Sequence, residues 1–390
     1  MWLLSTVVLL FLSFAVHAAD SPYLYVWTAD EDGEDSDFLA VLDADPESDS
    51  YGDVLTTIEV GMPTGAHHTE HRMPEDGLLF MNGFRTGHSF VVDLTKPLKP
   101  AMVFHFTTVG ELSHAHSFER LPNGNVLATF QNGPNGARIT GGIAELTPSG
   151  ELIRWKSAAV AGDPEIRPYS LVVIPKIGMA LTTTADMWAE AHADSVQIWQ
   201  LSDLSLSHTL QFPSGRRGDE HEWPMEPRLM ADGETLIVST ARCGLYHIKG
   251  LQTDQPDVRY IYSFDREEGA GCALPVTAGH YWVQTVTARN GLVSLDLRDP
   301  ENPKEVGYLD FGSGHIPHWI AIEPNDRRIV VAGFREMQNN ITMVEFDATD
   351  GSLSVDRDFG DNGVVDFGRT NWPHGNSGPA IPHGSIFSLP

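Results

Sequence analysis

The sequence is poor in several things. It has only two cysteines, and its 25 Lys and Arg are outnumbered by 53 Asp and Glu, for a formal charge of −28. Phosphate contacts need Lys and Arg, so nucleic acid and anionic membrane surfaces are disfavoured as partners. The acidic excess reads instead as a surface that keeps an exported protein soluble. After the first nineteen residues no apolar run is long enough to cross a bilayer. Helical periodicity is almost absent. No G-x-S-x-G elbow, P-loop or Rossmann fingerprint occurs, so the hydrolase and nucleotide-binding classes built on them have no support.

What is present begins with MWLLSTVVLLFLSFAVHAA. Its apolar run from Val7 to Val16 precedes small residues, with Val16 and Ala18 at the −3 and −1 positions of a cleavage site. This reads as a signal peptide over residues 1–19 and places the protein in the periplasm or outside the cell. A single anchor helix is the rival, but the run is short and His17 interrupts it. No membrane insertion is expected after cleavage. Residues 20–390 are expected to form one domain, because an internal repeat overrides the length prior.

That repeat lies in the punctuation. Short β-rich runs such as YLYVWTA, FLAVLDA, NVLATF, TLIVSTA and GLVSLDL are separated by turn residues at intervals of roughly 8–12, an all-β signature. Segments 67–84, 114–131, 168–185, 224–241, 271–288 and 317–334 each hold an extended run, a turn and a β-rich strand. One position in each unit is occupied by His68, His116, Tyr169, Met225, Cys272 and His318, in steps of 48, 53, 56, 47 and 46. Four strands per unit at that spacing are blade-like. The start of the chain supplies three strands without an inner one, and PHGSIFSLP (382–390) supplies the missing piece. The expectation is a seven-bladed β-propeller whose C-terminal strand closes the first blade, removing an open sheet edge.

Inner strands of a propeller line its channel, so equivalent positions form a ring. His383, His68, His116 and His318 then stand on consecutive blades. Imidazoles without a carboxylate at their level favour copper or zinc over calcium or magnesium. His67, His71, His114, His315 and His374 stand close in sequence or in ring order. Strand alternation sends His67 away from His68, whereas His114 shares a face with His116. The metal candidates are therefore His67, His68, His114, His116, His318 and His383, with His68, His116, His318 and His383 as the reactive core. Tyr169 and Met225 read more readily as packing, and for His221, which precedes an inner strand, approach to the mouth is the minor reading. His88, His105, His192, His208, His247 and His280 fall on outer strands or loops. Cys243 and Cys272 lie at one face of neighbouring blades, where a disulfide and a free Cys272 beside the metal are both open. DEDGEDSD (30–37) lacks EF-hand spacing and reads as a solvated loop.

DFLAVLDADPESDSYGDVLTTIEVGMP followed by His67–His68 resembles the selenium-binding protein family, which includes methanethiol oxidase. The 114–116 segment and PAIPHG (379–384) also fit. The resemblance implies a propeller and, in the methanethiol oxidase branch, copper-dependent conversion of methanethiol, oxygen and water to formaldehyde, hydrogen sulfide and hydrogen peroxide. It places His67 or His68, His116 and His383 at the metal. The cysteine tied to selenium in animal members would fall near Trp27 or Thr28, where none stands, so selenium binding through it is not implied. The expected function is a periplasmic copper oxidoreductase acting on a small sulfur compound. The alternative is a non-catalytic copper carrier of the cell envelope. A metal-dependent lactonase or other hydrolase is disfavoured, because such rings mix Glu, Asp and Asn with the histidines.

Overall fold

The computed structural model describes residues 19–162, 165–190, 193–266, 271–333 and 338–390. The expected signal peptide, with Val16 and Ala18, lies outside the described residues apart from its last position, as does His192. Apart from three single-turn segments, the regular elements of the described residues are β-strands. Val, Ile, Leu and aromatic residues dominate those strands, because they fill a pleated surface packed on both faces.

Seven antiparallel sheets form the blades. Blade 1 consists of Tyr23–Asp30, Phe38–Asp43 and Val54–Glu59, with Ala380–Phe387 as its inner strand. The inner strands of blades 2 to 7 are Ala66–Thr69, Leu112–Arg120, Leu171–Ile174, Pro224–Leu229, Pro275–Ala278 and Pro317–Ile322. From each of these six inner strands the chain runs outward through successive antiparallel strands, and in blade 3 the short strand Thr108–Val109 precedes the inner one and pairs with it. The C-terminal strand pairs with Tyr23–Asp30, joining Leu24 to Phe387 and Asp30 to Ala380. The fold is therefore the expected propeller, closed by its last strand. No helix among the described residues is long and apolar enough to cross a membrane.

Apolar clusters fill the spaces between neighbouring blades. Trp27, Trp199, Trp282 and Trp319 are completely buried within them. Polar side chains on second strands tie four of the inner strands to the next. Asn82 Nδ2 donates to the carbonyls of Ala115 (2.7 Å) and His116 (3.0 Å). Thr129 Oγ1 donates to Tyr169 O at 2.6 Å, Thr183 Oγ1 to Met225 O at 2.6 Å, and Thr285 Oγ1 to His318 O at 3.1 Å. These bonds go to inner-strand carbonyls at the channel wall.

Several of the inner strands bulge. In blade 2, Ala66 pairs Gly83 but Thr69 pairs Met81, so three steps face two. Blade 3 repeats this between Ala115 and Phe118, and blade 1 between Ser385 and Pro382. Blades 5 and 7 shift by one residue beside Glu226 and Trp319. An extra residue re-aims the side chains around it. That local feature determines which residues reach the channel.

Cys243, in the turn after the second strand of blade 5, forms a disulfide with Cys272, just before the inner strand of blade 6. This resolves the open alternatives for Cys272: it is not a free thiol beside a metal.

Candidate metal centre

The bulges bring five histidines together at the channel: His67 and His68 from blade 2, His116 from blade 3, His318 from blade 7 and His383 from blade 1. His67 and His68 do not point to opposite sides. Their rings stack 3.9 Å apart at 7°. The expectation that alternation sends His67 away fails because the Ala66–Thr69 bulge breaks the two-residue period. The His68 N–H freed by that bulge donates to Asn82 Oδ1 at 2.7 Å.

The other rings close around this pair. His116 stands 4.4 Å from His68 and 5.2 Å from His67. His383 stands 4.7 Å from His67 and 5.0 Å from His318. His67, His68 and His383 each offer a nitrogen within 4.8 Å of the others. Trp319 lies against His68 at 4.8 Å, and the Tyr169 ring lies on His116 at 3.8 Å.

The proton positions follow from the carbonyls. His383 Nδ1 lies 2.6 Å from His67 O, and His116 Nδ1 lies 2.9 Å from Tyr169 O. A carbonyl only accepts, so each Nδ1 carries the proton and each Nε2 presents a lone pair. Neither Nε2 has a hydrogen-bond partner, and neither does either ring nitrogen of His68. Such buried orphans cost roughly 1–3 kcal/mol each and are rare in native proteins. A cation removes that cost. The donor set is all imidazole, which fits copper or zinc and not calcium or magnesium. The residues present therefore fit a metal, and the carbonyl bonds are the outer contacts that orient metal-binding histidines.

Burial also prepares the ligands. Desolvation, reinforced by repulsion from His383 and His116, takes His67 well below the usual imidazole range. His68 is lowered in the same way, with His67 as its nearest like charge. Burial lowers His116 to about 3 and His383 to about 4, against the opposing pull of their carbonyl partners. At neutral pH all four are uncharged and ready to bind a cation.

A pH dependence follows for the metal-free protein. Unfolded histidines take up protons below about pH 6.5, whereas these folded ones resist it. Above that pH they leave stability unchanged. As the pH falls from 6.5 towards 4, the unfolded state binds more protons and stability falls. The urea midpoint of metal-free protein is expected to drop by more than 1 M between pH 7.5 and 4.5. His383→Gln is expected to flatten the curve; equal slopes for both proteins would refute the assignment.

The remaining candidates lie elsewhere. His114 has a left-handed backbone (φ 55°), and its ring meets Trp188 at 5.4 Å and covers Gly87. It makes no ring contact with the five histidines among the described residues, so the structure does not bring it together with them. The extra residue between Ala115 and Phe118 puts His114 and His116 out of phase. His374 bonds Thr57 and Ser377 and packs on Phe38, and His315 packs on Phe311. His221 makes no ring contact with the cluster among the described residues. Met225 packs with Tyr169 and Ala185 in a small apolar cluster. His71 stacks on Trp319 at 5.1 Å and 9°, with Nε2 3.6 Å from a carboxylate oxygen of Glu226. Glu226 and Trp319 were not legible as site residues, because each adjoins a repeat position and only a bulge turns it inward.

Fold and site together define a class: a seven-bladed propeller with an imidazole-lined centre in its channel. No family model matches the chain. Over 320 residues it is 24% identical to a methanethiol oxidase from Hyphomicrobium sp., a match covering 75% of this chain and 71% of that protein. A hypothetical selenium-binding protein from Sulfolobus tokodaii shares the fold with a TM-score of 0.76 at 14% identity, covering 95% and 94% of the two chains. A periplasmic gluconolactonase from Pseudomonas aeruginosa has a TM-score of 0.64 at 13% identity, covering 94% of this chain and 99% of its own. At such identities these two likenesses speak for the propeller fold alone. In sequence the chain is similar to a methanethiol oxidase and in fold to a selenium-binding protein, in line with the resemblance its residues carry.

Proposed function

We propose that this chain is an exported, copper-dependent oxidoreductase acting on a small sulfur compound, in the manner of a methanethiol oxidase. The observation that carries this reading is the cluster of buried neutral imidazoles of His67, His68, His116 and His383 from three blades, with ring nitrogens of His68, His116 and His383 left without partners. The Hyphomicrobium relative bears the name methanethiol oxidase, which supports thiol oxidation at the level of the family. The Cys243–Cys272 disulfide is the kind that persists in an oxidising compartment and supports export.

His67, His68, His116 and His383 would hold the metal, with His318 beside His383. Copper held there would supply redox chemistry that relays electrons from the thiol to oxygen. The protein contributes fixed ligand tautomers, exclusion of water and the apolar surface of Tyr169 and Met225. For methanethiol the balanced reaction consumes one oxygen and one water and yields formaldehyde, hydrogen sulfide and hydrogen peroxide. The carbon–sulfur bond breaks, the thiol loses two electrons, and oxygen gains two.

One observation favours a second reading, a copper-holding envelope protein. His68 is fully buried and none of the five histidines is more than 9% exposed, which leaves a narrow approach for substrate. Elemental analysis of protein from the periplasmic fraction, with oxygen uptake on methanethiol, separates the readings. Copper with turnover is the expected result. Copper without turnover favours the carrier, and calcium or magnesium in place of copper contradicts both.

A further inference from the structure

Across the channel from the histidine arc stands a carboxylate that the metal site has not used. Glu226, on the inner strand of blade 5, is fully buried. Its Oε2 accepts from Ser170 Oγ (2.8 Å) and Arg228 Nη1 (2.8 Å), and lies 3.6 Å from His71 Nε2. Its Oε1 has no hydrogen-bond partner. A buried charge with one oxygen unsatisfied is expensive to keep.

The connections from Glu226 lead to the histidines. His71, from the segment after the inner strand of blade 2, lies flat on the Trp319 ring. Trp319 is fixed by its Nε1 donating to Ser385 O at 2.9 Å. It also meets the rings of His68, at 4.8 Å, and His383, at 6.1 Å. One path therefore runs from blade 5 through blades 2 and 7 to two ligand histidines. Burial works against ionisation of Glu226, but Arg228, His71 and Ser170 outweigh it and hold the carboxyl at about 2. Its charge also acts on His116, where it favours the protonated ring. Arg228 offsets part of that charge, with Arg72 and Glu119 further along the same layer.

We propose that Glu226 is the positioning residue of the imidazole centre: it fixes the His71–Trp319 shelf under His68 and His383, and it supplies the negative charge that an all-imidazole ligand set lacks, so that Cu(II) is held in preference to Cu(I). This rests on the copper reading above. Each ligand imidazole is neutral, so a nearby anion adds a Coulombic attraction that is larger for a dication than for a monocation.

The test measures Cu(II) and Cu(I) affinities by competition with chelators for the wild type and Glu226→Gln, alongside thermal unfolding. Outer contacts of metal ligands are typically worth about 10–100-fold in affinity. Glu226→Gln is expected to lose about tenfold or more for Cu(II) and under about threefold for Cu(I). Equal losses for both ions, or no loss, overturn the proposal. Ser170→Ala keeps the charge and is expected to keep the wild-type ratio of the two affinities; a ratio shifted as far as in Glu226→Gln overturns it too. If Glu226→Gln does not fold, Arg228→Gln reads the same field from the other side. Removing that neutralising guanidinium is expected to raise the Cu(II)-to-Cu(I) ratio, and an unchanged or lower ratio refutes the proposal. A wild type that binds no copper brings down both this inference and the function it rests on. A wild type that binds copper, with Glu226→Gln indistinguishable from it, brings down this inference alone.

Discussion

Deleting residues 380–390 is expected to abolish cooperative unfolding and metal binding together. The deleted strand is the inner strand of blade 1, paired along Tyr23–Asp30. It buries Ala380, Ile386 and Phe387 almost completely. Each large apolar side chain removed from such a site costs about 2–5 kcal/mol. The deletion also takes the acceptor of the Trp319 indole, the donor to His67 O, and the Ser388 carbonyl that accepts from Ser21 Oγ. A sheet edge inside the ring is left bare. The sum exceeds about 5 kcal/mol, comparable with the whole stability of a typical domain. His383→Ala separates the two losses. It is expected to unfold cooperatively, within about 3 kcal/mol of the wild type, while losing most of its metal. A truncated chain with an unchanged melting midpoint would show that the ring does not depend on its last strand.

The second large effect falls on His68. Its ring touches His67, His116, His383 and Trp319, so it lies at the centre of the cluster. His68→Ala is expected to weaken metal binding by more than about 100-fold, beyond the range found for outer contacts. Its effect on stability should differ between forms. Without metal, the cavity is offset by relief of two orphaned nitrogens, each worth roughly 1–3 kcal/mol, and the melting midpoint should stay within a few degrees of the wild type. With metal, the wild type gains stability in proportion to the logarithm of metal over Kd and the variant gains little. His114→Ala is the control and is expected to match the wild type in metal affinity. Equal metal loss in both variants would contradict the geometry, because His114 packs on Trp188 and Gly87 instead.

The architecture was legible because it repeats. Steps of 48, 53, 56, 47 and 46 residues between equivalent positions are long-range regularities that small local errors do not disturb. The closing strand was legible for a related reason: PHGSIFSLP matches a unit whose partner strands stand at the other end of the chain. Convergence of His68, His116, His318 and His383 followed from ring order alone. Side-chain direction was less legible. Alternation assigned His67 outward and His114 inward, and both assignments reversed at bulges that pair three steps with two. A bulge inserts one residue and inverts every assignment beyond it. The short runs HHTEH and HAHSF carry no Gly or Pro to announce it. Glu226 escaped notice for the same reason, since it adjoins the Met225 repeat position at another register shift. The Cys243–Cys272 pairing needed the turn geometry of blade 5, which spacing alone does not supply.

The account turns on one coordination sphere assembled from three blades. X-ray absorption at the copper edge of the metal-loaded protein reads that sphere directly. It should show three or four nitrogen neighbours at about 2.0 Å, with the outer-shell scattering of imidazole rings and one ligand fewer in His383→Ala. A spectrum dominated by oxygen or sulfur neighbours, or one that His383→Ala leaves unchanged, would contradict it.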